Sequence, residues 1–80
     1  MPVVLRVGGF AFSIYPGDHD PPHVHVRYSG TRAVVDIESE QVRDSRGMTT
    51  ANVAEAQRLV RAHRAELLAS WTQLRLPREP

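Results

Sequence analysis

The chain reads as an α+β domain of two layers, an antiparallel sheet of three to four strands packed on one long C-terminal helix. Two periodicities, and the turn residues that separate the runs, predict it. Between Val3 and Glu38, in short runs parted by turn and loop residues, large apolar residues recur at alternate positions, the repeat of a half-buried strand. From Thr49 or Thr50 onward they recur every three or four residues, and neither Pro nor Gly intervenes before Pro77.

Val3-Val4-Leu5-Arg6-Val7 is short and β-branched, and Gly8-Gly9 closes it as a two-residue hairpin turn would. Phe10 to Tyr15 alternates large apolar with small or polar residues and forms the second strand. Pro16-Gly17-Asp18-His19-Asp20-Pro21-Pro22 cannot continue a ladder and is a loop. His23 to Tyr28 alternates again, Ser29-Gly30 turns the chain, and Thr31 to Glu38 makes a fourth strand. Glu40 to Gly47 is polar and reads as irregular or a short turn. The helix then carries Val53, Ala56, Leu59/Val60, His63, Leu67, Trp71 and Leu74 along one stripe as far as about Leu74. Residues 1–75 make a single domain, and 76–80 read as a flexible tail.

Eighty residues allow one domain with a thin core. Cysteine is absent, which excludes disulfide staples, thiolate zinc sites and cysteine nucleophiles. No apolar run approaches a membrane span and no signal-peptide layout opens the chain, so a cytoplasmic setting is expected. All ten basic residues are arginine, against nine acids. The segments 1–30, 31–48 and 49–80 carry 0, −1 and +2, too even a spread for a protein held on DNA by bulk charge.

One helical layer covers one side of the sheet. Val3, Leu5, Val7, Phe10, Phe12, Ile14, Val24, Val26, Ala33, Val35 and Ile37 go under the helix. Arg6, Ser13, Tyr15, His23, His25, Arg27, Asp36 and Glu38 go to the open side.

His23 and His25 leave that side together, and His19 precedes them on a loop flanked by Asp18 and Asp20. Three readings follow. In the first, His19, His23 and His25 hold a divalent metal such as zinc, the third ligand being a His or Asp from the loop. In the second, His23, His25 and Arg27 carry metal-free acid–base chemistry on RNA, with Arg6, Tyr15 and Asp36 binding. In the third, the histidines are structural, pairing with Asp36 or Glu38 across strands, or belong to a protein-binding surface. His63, alone on the helix stripe, reads as a core-edge histidine, and Trp71 as a core anchor.

His19-Asp20-Pro21-Pro22-His23-Val24-His25-Val26, the opening Met1 to Val7 and the helix Leu59 to Trp71 resemble domain-of-unknown-function family 4160 of small bacterial proteins. The likeness spans residues 1 to about 74, and its motif positions here are His19, Pro21, Pro22, His23 and His25. It implies a component of a two-gene, toxin–antitoxin-like or regulatory module with another small protein as partner; RNA as a partner follows instead from the second reading of the open side, and the oligomeric state, a homodimer included, is left open. It implies no established activity. The histidine triad of nucleotide hydrolases is excluded, because positions 21 and 27 are Pro and Arg.

Overall fold

The computed structural model describes residues 3–75; the tail expected at 76–80 lies outside the described residues. The fold is α+β, as the two periodicities require, with five strands rather than three to four. They are β1 (Val3–Val7), β2 (Phe10–Ser13), β3 (His23–Tyr28), β4 (Thr31–Asp36) and β5 (Val42–Arg46), followed by α1 (Thr50–Ala62) and α2 (Arg64–Arg75). The sheet order β1-β2-β3-β4-β5 is that of the sequence, and every neighbouring pair is antiparallel. Gly8-Gly9 turns β1 into β2 with both residues at positive φ. A Cβ on Gly9 would lie 3.2 Å from the Tyr28 ring, so this corner needs glycine on two counts.

β5 replaces the irregular segment expected from Glu40 to Gly47. It is an edge strand whose residues, Val42 apart, are exposed, so it buries nothing that would leave an alternating trace in the sequence. What holds it is the ladder to β4, which carries a register shift between Val34 and Val35.

The single long helix is in fact two. Thr49 caps α1, its side-chain oxygen accepting from the Asn52 amide. At His63 the backbone leaves helical geometry (φ −113°, ψ 22°), and α2 starts one residue later. Glu40, in the β4–β5 connection at φ 65°, receives Arg61 from one side of the break and Arg64 from the other. The Arg64 Nε also donates to the Ile37 carbonyl at 2.9 Å, and Gln57 donates to the Glu40 carbonyl at 2.8 Å. These contacts tie the bend to the sheet, so that α1 lies on β4 and α2 on β1.

The core follows the alternation. Phe10, Phe12, Ile14, Val24, Val26, Ala33, Val35 and Ile37 are buried against Ala56, Leu59, Val60, Leu67 and Trp71. Val4, Leu5 and Val7 of edge strand β1 are only partly covered. Met48 joins the core from the segment before α1. On the uncovered side, cross-strand register sets Arg6, Ala11, Arg27 and Arg32 in one row and Ser13, His25 and Val34 in the next. None of the helices among the described residues is long and apolar enough to cross a membrane.

Candidate metal centre

The loop between β2 and β3 assembles the site. Tyr15 to Asp18 is a β-turn with Pro16 and Gly17 at its centre, closed by the Asp18 amide donating to the Tyr15 carbonyl at 3.0 Å. The Asp18 carboxylate returns the bond, its Oδ2 accepting from the Tyr15 amide at 3.0 Å. A carboxylate held at both ends of a tight turn points one way. It points at the histidines of β3: Oδ2 lies 3.2 Å from Nε2 of His25 and 3.7 Å from Nε2 of His23.

His23 and His25, two positions apart on one strand, lean together until their rings are 5.4 Å apart at the centroids. One ligand atom each from Asp18, His23 and His25 lies within 4.8 Å of the others. His23 is buried, not open as the alternation implied, and so is Ser13. The physical reason is twofold: Asp18 reaches over β3 from the loop, and Trp71 of α2 brings its ring to 5.3 Å from that of His23. Side-chain exposure rises from 9% at His23 through 16% at Asp18 to 33% at His25, so the site opens on the His25 side.

The remaining hydrogen bond of His23 fixes its orientation. Its Nδ1 faces the Pro21 carbonyl at 3.0 Å, and a carbonyl only accepts, so Nδ1 carries the proton. Nε2 is then the ring nitrogen turned toward the Asp18 carboxylate and the second imidazole. The same Pro21 carbonyl also accepts from Arg43 of β5 at 3.2 Å, which pins the loop to the far edge of the sheet. The Asp20–Pro21 peptide in this loop is cis.

The other candidates fall in different places. His19 is exposed and stands outside the grouping, which takes Asp18 in its stead. Asp36 is opposite His23 in the β3–β4 register, but its carboxylate accepts from Arg43 at 2.5 Å and from Ser39. Tyr15 sets its ring edge-on to His25 with centroids 4.8 Å apart. Arg27 and Arg6 lie in the neighbouring row of the open side. His63, at the break between the helices, pairs with Glu66 at 2.9 Å and stands outside the grouping of Asp18, His23 and His25. The sequence reading allows a His or an Asp of the loop as third ligand and names His19; the grouping takes Asp18, and Tyr-Pro-Gly-Asp is a turn signature that returns its fourth residue toward its first.

Residues 9–72 match the family described as domain of unknown function (DUF4160). The chain belongs to that family. No curated protein and no solved structure matches it. The DUF4160 span contains Asp18, His23, His25 and the turn that joins them, whereas Arg6 precedes it.

Proposed function

We propose that this DUF4160 chain is a metal-binding protein whose Asp18, His23 and His25 hold one divalent ion of the zinc type. The observation that carries the reading is the His23 ring, whose Nδ1–H bond to Pro21 turns Nε2 toward a carboxylate and a second imidazole. In the metal-free chain His25 Nε2–H donates to the Asp18 carboxylate at 3.2 Å; a divalent ion would displace that proton and take all three atoms as ligands. An outer hydrogen bond from the distal ring nitrogen to a backbone carbonyl is also how metal-bound histidines are commonly oriented. Two imidazoles and one carboxylate suit zinc, iron, nickel or copper and disfavour calcium and magnesium, which take oxygen ligands.

Around a tetrahedral ion with bonds of 2.0–2.2 Å, donors stand about 3.3 Å apart. The 3.2 and 3.7 Å separations about Asp18 Oδ2 already approach that, and the three donor atoms all lie within 4.8 Å of one another. Three protein ligands leave a fourth position on the exposed His25 side, where a bound ion supplies a water of lowered pKa or polarises an oxygen. This reading concerns the residues of the chain and is independent of the two-gene module that the family resemblance implies.

Isothermal titration of the metal-free protein with zinc tests it. One ion per chain is expected, with protons released on binding, and Asp18→Asn or His25→Ala should abolish the heat. An absent heat in the wild type, or one unchanged in both variants, would return the histidines to the structural and metal-free readings.

A further inference from the structure

The arginines whose side chains are described divide into two groups. Arg43, Arg46, Arg58, Arg61 and Arg64 each face a carboxylate within ion-pair distance. Arg6, Arg27 and Arg32 face none among the described residues, and these three share one row across the open side of the sheet. Arg27 and Arg32 are directly opposite one another in the β3–β4 ladder. Like charges so placed repel and destabilise the pair. Among the described residues no carboxylate pairs with either: Asp36 is committed to Arg43, and Asp44, opposite Val34 in the next row, faces Arg46. The small side chain of Ala11 separates Arg6 from Arg27 in the row.

We infer that this row docks the backbone of a single-stranded polynucleotide, alongside the metal centre and without requiring it to be loaded. The row spans three strand spacings, about 14 Å, which is longer than one phosphate can occupy. Planar guanidinium forks match phosphate oxygens in pairs. A shallow groove joins the row to the metal centre, lined by Ser13, Tyr15, His25, Arg27, Arg32 and Val34. Tyr15, half-buried beside His25, puts a ring in that groove, and the gap over Ala11 leaves room between neighbouring cations. Cations at intervals with an aromatic surface beside them are the elements of single-strand binding, in which bases stack and phosphates pair. An acidic peptide would use the cations and leave the ring without a role.

The test is fluorescence anisotropy with a labelled ten-residue oligouridine at low salt, on the full chain, once in chelator and once in zinc. Arg27→Ala and Arg32→Ala should each weaken binding roughly tenfold, and Arg58→Ala, on the helical layer, should not. For three phosphate contacts the salt slope should be about −2, flattening by about 0.7 for each arginine removed. Circular dichroism of each variant confirms the fold. Binding in chelator that follows this pattern supports the row even if no metal ever binds. The inference is overturned if wild type does not bind at low salt, or if the row variants bind like wild type. It is overturned too if a duplex or an oligoglutamate binds as tightly, or if millimolar inorganic phosphate at matched ionic strength displaces the strand. Binding that needs zinc and is lost only in Asp18→Asn would keep the metal centre and remove the row.

Discussion

The Trp71 ring sits 5.3 Å from that of His23, centroid to centroid, at an interplanar angle of 55°. The contact joins the second helix to the third strand. It also sets the one tryptophan of the chain against a candidate ligand. Cobalt or nickel bound at Asp18, His23 and His25 should therefore quench intrinsic fluorescence saturably. Asp18→Asn should remove the quenching and His63→Ala should retain it, since His63 engages Glu66 instead. Equal quenching in wild type and Asp18→Asn would put the ion elsewhere.

Thermal unfolding separates Asp18 from His19. Free zinc at a hundred times the dissociation constant stabilises a native state by about 2.7 kcal/mol. For a domain of this length that raises the melting temperature on the order of 10 °C. His19→Ala should keep the rise, because His19 stands outside the grouping, and Asp18→Asn should lose it. The opposite ranking would favour the three-histidine set.

Leu67 is 1% exposed at the centre of the α2 contact with the sheet. Leu67→Ala removes that contact and leaves a cavity, which costs about 2–5 kcal/mol in a buried site. In a thin core that is a large share of the total. Urea denaturation should show the midpoint falling sharply with little change of slope. A shift of a few tenths of a molar would mean that α2 adds little to the core.

The guanidinium of Arg61, with that of Arg64, holds the Glu40 carboxyl below its ordinary titration range. A carboxylate whose folded pKa is depressed contributes stability above its unfolded pKa, and the contribution is lost as pH falls through the folded value. Glu40→Gln should thus lower the melting temperature at neutral pH. The difference should close once acidification has passed below the usual glutamate value of ~4.3 and on through the lower folded one. A gap independent of pH would assign the effect to packing and not to charge.

The sequence reveals what repeats and conceals what meets across distance. Val24, Val26, Val35 and Ile37 were legible as core because alternation and burial are the same fact in a one-sided sheet. Arg43-Asp44-Ser45-Arg46 gave no sign of a strand, since an exposed edge imposes no alternation of its own. The break at His63 was hidden because neither Pro nor Gly marks it. The groups that hold the bend, Glu40 with Arg61 and Arg64, are 21 and 24 residues apart. At the candidate site, the shared direction of His23 and His25 could be read from their spacing. The burial of His23 could not, because it depends on where a loop returns and on a side chain from the far end of the chain.

The turn that carries Asp18 back over β3 makes the distance along the chain from residue 18 to residue 23 a ruler. Side chains of a strand change sides at every step, so one residue inserted there, absorbed by sliding β3, would face Val24 toward the carboxylate and both imidazoles into the apolar layer. One deleted would shorten the span over which Oδ2 must reach two rings. The β1–β2 and β3–β4 turns carry no such gauge for the centre. Variation in length among chains of this kind should therefore gather outside 18–25, and a chain altered within it should have lost the centre while keeping the sheet.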